Sequence, residues 1–157
     1  MTYSGYLNVD ELLSLQQPRS DGPEHDEMLF IIIHQVYELW FKQLIHELDL
    51  LKTALESNKH PLATATLKRV LTIMKTLVGQ IDILETMTPV SFISFRDRLE
   101  TASGFQSAQF REFEFICGNK HREMIDHHRD TPPTLRRLAL RTLPPPGSTR
   151  AGSRAPQ

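Results

Sequence analysis

His25-Asp26-Glu27-Met28-Leu29-Phe30-Ile31-Ile32-Ile33-His34-Gln35-Val36-Tyr37-Glu38-Leu39-Trp40-Phe41-Lys42 is the stretch whose reading decides the fold. It holds neither Pro nor Gly, opens on acidic residues that suit a helix N-terminus, and runs on towards Asn58 without a break. Between Met28 and Trp40 the apolar residues cover far more than one stripe. A helix that is apolar nearly all round belongs inside, so this one is expected to be central and contacted on most sides. His34 stands in the middle of that wall, with Phe30 one turn earlier on the same face. A buried imidazole must find a partner, because an unpaired polar group in apolar surroundings is costly. A nearby carbonyl, a metal or a substrate would each serve, and the residues alone leave the three open.

Outward from this stretch the chain reads as helices joined by short turns. Asn8-Val9-Asp10-Glu11-Leu12-Leu13-Ser14-Leu15 is expected to be a short helix capped by Asn8, with acids in its first turn. Before it, Tyr3-Ser4-Gly5-Tyr6-Leu7 is an aromatic arm with no core of its own, suited to docking on something else, another subunit included. After a loop at Gln17–Pro23 the central helix spans about 24–56, and Ser57-Asn58-Lys59-His60-Pro61 turns the chain. A second long helix follows over about 62–86, with Leu67, Val70, Leu71, Met74, Leu77, Val78, Ile81 and Leu84 in helical period. So short a turn makes the two long helices antiparallel neighbours. Thr88-Pro89 is a cap followed by Pro at the first helical position, and it opens a helix at 90–99 that carries Phe92, Phe95 and Arg96. Thr101–Gly104 is a turn, and the next helix, 106–116, stops at Gly118-Asn119. A charged helix around 121–128 and a weak one at 134–143 complete the reading. No strand pattern or repeat occurs, so the class is all-α: a helical bundle built on two long antiparallel helices.

At 157 residues the chain suits one domain with a core of its own. A net charge of -1 and a pI near 6.7 give no electrostatic reason for nucleic acid or an anionic membrane as partner. A single cysteine, Cys117, excludes an internal disulfide and suits a reducing compartment. The N-terminus lacks the layout of a signal peptide, and Met28–Ile33, the longest apolar run, is too short to span a bilayer. A cytoplasmic location is expected. Charge is unevenly spread: residues 134–157 hold five Arg and no acid, whereas all 19 acids lie before them. The last fourteen residues have no large apolar side chain and are expected to be disordered. Their Arg/Pro/Gly/Ser/Ala composition is also that of a coding frame read out of register.

No phosphate loop, GxGxxG, CxxC or HExxH motif occurs. A di-iron bundle would need paired Glu-x-x-His motifs, which are also missing. His121–Asp130 is rich in potential metal ligands but reads as a solvated face. Cys117 reads as inert. Arg96, between Phe95 and Asp97 on a helix that also exposes Phe92, has two readings: a surface charge paired with Asp97, or a fork for a carboxylate.

Five segments carry a family resemblance: Tyr3-Ser4-Gly5-Tyr6-Leu7; His25 through Gln35; Leu84-Glu85-Thr86-Met87-Thr88-Pro89; Phe95-Arg96-Asp97; and Ala102-Ser103-Gly104-Phe105-Gln106-Ser107-Ala108-Gln109-Phe110-Arg111. In this order they resemble tryptophan 2,3-dioxygenase, almost continuously from residue 2 to about 138. The resemblance implies the N-terminal part of the haem dioxygenase fold at 1–138, followed by a tail at 139–157. It implies haem b iron as cofactor, L-tryptophan and O2 as substrates, N-formylkynurenine as product, and a homotetramer. It makes His34 the distal histidine, meeting the indole N–H, with Phe30 lining the same pocket. Arg96 would pair with the substrate carboxylate. Phe92 would form wall where some bacterial relatives have a tyrosine. Ser103 and Gly104 would lie beside the haem, and Tyr3, Tyr6 and Leu7 would reach into a neighbouring subunit's site.

The resemblance also implies two features that this chain does not supply: a proximal histidine for the iron, and a Gly/Thr/Ser-rich loop that closes over substrate. The expectation is therefore a truncated or frame-shifted copy with weak haem binding and no turnover by itself. The alternative is a non-catalytic helical fragment with bare apolar faces.

Overall fold

The computed structural model describes residues 1–22, 24–100 and 102–119. The helices expected at 121–128 and 134–143, the boundary near 138 and the tail at 139–157 lie outside the described residues. Within them the chain is all-α, as expected. Two short helices, α1 (Tyr3–Leu7) and α2 (Val9–Leu13), precede the long α3 (His25–Glu56) and α4 (His60–Leu84). Then come α5 (Pro89–Arg96), single 3-10 turns at Asp97–Leu99 and Gly104–Gln106, and α6 (Ala108–Ile116).

α3 has 32 residues, about 48 Å of helix. It ends because Asn58 takes the left-handed conformation at φ 55, which asparagine tolerates better than most side chains. The Lys59 N–H then closes on the Ala54 carbonyl at 2.8 Å, and Pro61 in the first turn starts α4. The two helices pack antiparallel. On α4 the residues Ala63, Thr66, Val70, Ile73 and Leu77 recur every three or four positions and form the buried face. Leu44, Val70, Ile73 and Leu77 make the centre of the core, with Tyr37, Trp40, Phe41, Leu48 and Phe113 packed around it. Burying a leucine or isoleucine here contributes about 2 kcal/mol.

Glu47 and Tyr37 are satisfied at this seam, whereas the buried Gln80 Oε1 of α4 has no hydrogen-bond partner among the described residues. Glu47 accepts from Arg69 at 2.9 and 3.0 Å and from Gln43 at 2.7 Å, and the Tyr37 hydroxyl donates to the Leu77 carbonyl at 2.8 Å. Burial pushes the Tyr37 phenol above its ordinary pKa. At the other end of α3, Glu27 is buried and accepts the N–H groups of Arg19 at 2.7 Å and Ser20 at 3.1 Å. Burial acts to raise its pKa, but these donors and the Arg98 guanidinium outweigh it and leave the carboxyl below its ordinary value.

Several expectations need correction. Among the described residues α3 is not contacted on most sides: Met28, Ile32, Leu39, Leu50 and Leu55 are exposed, because α4, α5 and α6 cover only part of its circumference. The Tyr3–Leu7 arm is a helical turn capped by the Thr2 hydroxyl. Asn8 does precede α2, but at φ 51 and without a side-chain cap, so its value there is left-handed geometry. The helix expected at 90–99 ends at Arg96 and tightens into a 3-10 turn, and that expected at 106–116 starts at Ala108, where the Ser107 hydroxyl accepts the Phe110 N–H at 3.1 Å. The inert reading of Cys117 needs no such correction: the residue is exposed overall, but partial burial of its thiol raises the pKa and so disfavours the thiolate. No described helix is long and apolar enough to cross a membrane.

Candidate active site

One face of α3 carries Phe30, His34, Tyr37, Glu38 and Phe41 at helical spacing. α6 crosses this face and is fixed there by Gln109, whose amide donates to the Glu38 carbonyl at 2.9 Å and to its carboxylate at 2.8 Å. Phe110 meets Phe41 with ring centres 5.3 Å apart. The segment leading into α6 folds back over His34 as a 3-10 turn, with the Gln106 N–H on the Ser103 carbonyl at 2.9 Å and the Ser107 N–H on Gly104 at 3.2 Å. Between α3 and this turn lies an open cleft of about 320 Å³, walled by His34, Tyr37, Phe41, Gly104 and Phe110. A neighbouring hollow adds Phe30 and Ala102. On the remaining side of His34, Leu12 and Leu15 border a third hollow, and Gln35 holds that segment through Gln16 at 2.6 Å and the Leu15 carbonyl at 3.1 Å.

His34 resolves the three options left open by the sequence in favour of a carbonyl for one of its nitrogens. Its Nδ1 lies 2.7 Å from the Phe30 carbonyl. A carbonyl only accepts, so Nδ1 carries the hydrogen, and in the neutral ring Nε2 holds the lone pair. The Phe30 ring lies 4.1 Å from the imidazole, centre to centre, and restricts its rotation. Nε2 points towards Gly104: a Cβ added there would lie 3.8 Å from it. The ring is therefore oriented on one side and open as an acceptor on the other.

His34, Phe30, Ser103 and Gly104 thus come together around one set of hollows. Phe92 is half-buried rather than exposed, 5.8 Å from Phe30 and 5.6 Å from the fully buried Phe95. Arg96 follows on the same helix but lines none of these hollows; its guanidinium donates to the Glu100 carbonyl at 3.2 Å. Among the described residues it has no ion pair with Asp97 or any other acid. Tyr3, Tyr6 and Leu7 are exposed and do not reach the His34 cleft of their own chain. Sequence reasoning missed Tyr37, Glu38, Phe41 and Phe110. The signal for the first three was present in the steps of three, four and seven residues after His34.

Among the described residues the fold and cleft define an all-α protein with an aromatic hollow and an oriented imidazole acceptor. The chain belongs to the tryptophan 2,3-dioxygenase family, whose family model matches residues 1–142. It is 58% identical over 132 residues to tryptophan 2,3-dioxygenase of Herpetosiphon aurantiacus, covering 84% of this chain and 51% of that protein. It is 54% identical over 145 residues to the enzyme of Anaeromyxobacter sp. (strain K), covering 92% and 54%. With that of Pseudomonas fluorescens it shares 47% over 138 residues, covering 88% and 48%. The chain spans about half the length of these curated relatives.

The residues present fit one face of the haem that this family implies. The cleft is apolar and aromatic, and glycine at 104 keeps clear the space that a side chain would fill in front of His34. Among the described residues no three His, Cys, Asp or Glu converge to hold a metal ion directly.

Proposed function

We propose that this chain forms the His34-bearing wall of a haem-dependent dioxygenase that opens the indole ring of L-tryptophan with O2 to give N-formylkynurenine. The observation that carries the reading is the Nδ1 contact to the Phe30 carbonyl, which leaves Nε2 as an acceptor facing an aromatic hollow. An indole N–H is a donor on a flat apolar body, and this pairing of acceptor with aromatic walls suits it. Haem b, when bound, supplies the iron chemistry that activates O2. Ser103 and Gly104 would border it, with Phe30 on the same side.

His34 orients the indole through its N–H, and Phe30, backed by Phe92 and Phe95, excludes water and limits tilt. Arg96 has five N–H donors and spends one on Glu100. The others remain for the substrate carboxylate, which selects an amino acid over bare indole. Tyr3, Tyr6 and Leu7 are solvent-facing in their own chain and would contribute to a neighbour's site in a cytoplasmic homotetramer.

The openness of the cleft favours a second reading, in which this chain alone is a helical fragment without turnover. Loading the 157-residue chain with haem b, then adding L-tryptophan and O2, separates the two: N-formylkynurenine formed by the chain, and lost in His34→Phe, supports catalysis. Absence of product supports the fragment. Where turnover occurs, Arg96→Ala should raise KM for L-tryptophan about 10- to 100-fold, with little effect on binding of indole itself. An unchanged KM would remove Arg96 from the site.

A further inference from the structure

α5 is held against α3 in two ways. Its apolar hold is the fully buried Phe95 and the half-buried Phe92, whose ring centres lie 5.6 and 5.8 Å from that of Phe30. Its polar hold comes from the loop that leads into α3. The Ser94 hydroxyl donates to the Glu24 carboxylate, and Arg98, on the 3-10 turn that continues α5, pairs with Asp21 at 3.5 Å. Singly these contacts are weak, because Asp21 and Arg98 are exposed to water and ordering a loop opposes them.

Glu27 removes that opposition. It is 1% exposed, and its two oxygens take the N–H groups of Arg19 at 2.7 Å and Ser20 at 3.1 Å. These residues stand directly before Asp21, so the loop meets Arg98 already ordered. Burial opposes the charged form of Glu27, and the loop donors together with Arg98 outweigh it. One carboxylate thus acts on both the loop and the turn that follows Arg96.

We infer that Glu27 is a positioning residue for Arg96: by fixing the loop at 19–21 it seats α5, and so sets where the Arg96 guanidinium can reach. Glu27 lines none of the hollows around His34, so its effect passes through α5 and not through contact with a guest. Its bearing on the reaction rests on the reading of Arg96 given above, whereas the seating of α5 does not.

Trypsin tests the seating without any appeal to activity. Arg19 and Arg98 are exposed, and cleavage after either needs local opening, at a rate that follows the population of open chain. In Glu27→Gln of the 157-residue chain, cutting after Arg19 should rise about tenfold and after Arg98 about threefold. Cutting after Lys52 and Lys75, in the two long helices, should stay at the parent rate. The NMR signal of the Arg96 Nε–H should move in this variant, and that of Arg69 should not. Ser94→Ala removes only a contact of α5 and should raise cutting after Arg98 alone, about twofold. A rise at Arg19 alone would show α5 seated without Glu27, and parallel rises at all four sites would make Glu27 a general stabiliser. Either result, an unchanged rate at Arg19, or an unmoved Arg96 signal would overturn the proposal.

Discussion

The two halves of α3 solve different problems. From Leu44 to Ala54 the helix presses an apolar face onto α4, and the buried Glu47 is paired there with Arg69 and Gln43. From Met28 to Phe41 one face still packs on α4 through Tyr37, Trp40 and Phe41, but the face that carries Phe30, His34 and Glu38, flanked by α5 and α6, borders hollows. One unbroken helix therefore joins a region that supplies cohesion to a region that presents an imidazole and aromatic rings to open space. Stability and site chemistry should be separable along its length.

The largest effect belongs to the filled half. Leu44→Ala removes a side chain with no exposed surface and should cost about 3 kcal/mol in chemical denaturation. The resonances of the His34 ring should stay in place; if they move with the core, the two halves are one unit and the contrast fails. Next comes Arg69→Ala, which leaves Glu47 buried with only Gln43 as partner. Because Arg69 is 61% exposed, water relieves part of the loss, and about 1–2 kcal/mol is expected in the same measurement.

Glu27 sharpens the comparison from the other end. Its folded pKa lies below the ordinary 4.5, so its contribution is full above that value and disappears as pH falls through the lower folded pKa. Unfolding free energy followed downwards from pH 5 should therefore fall more steeply in the parent chain than in Glu27→Gln. Equal slopes would mean that the Arg19 and Ser20 donors do not hold the carboxylate in solution. The smallest stability change should come from Gly104→Ala. An added Cβ meets only ordinary contact with His34, so the cost should stay within about 0.5 kcal/mol. The nitrogen shift of Nε2 should nonetheless change in NMR, since the methyl group occupies the open side of the ring.

Much of the helical layout was legible before any coordinates. Pro, Gly and Asn mark the ends of the long helices, and the period of apolar residues marks their buried faces. The extent of burial was not, because an apolar stretch records what a helix would cover and not whether a partner is there. Met28, Ile32 and Leu39 are as apolar as core residues and lie exposed. In the candidate site, Phe30 and His34 followed from one turn of helix, and Ser103 and Gly104 from family resemblance. The Glu100 carbonyl that holds Arg96 could not be foreseen, because every residue offers a carbonyl and none signals which will be used. Phe110 reaches the site only because Gln109 fastens α6 across α3, a contact spanning 71 positions of sequence.

The partner that orients His34 is main chain. The Phe30 carbonyl belongs to the helical ladder of α3, and no side-chain replacement at position 30 deletes it. The ring's preferred tautomer is thereby insulated from mutation: substitutions around the hollow can retune its shape and width while the nitrogen that faces the hollow keeps the same hydrogen-bonding sense. Sequence drift in the walls is free to reshape the hollow without first having to preserve a second polar residue.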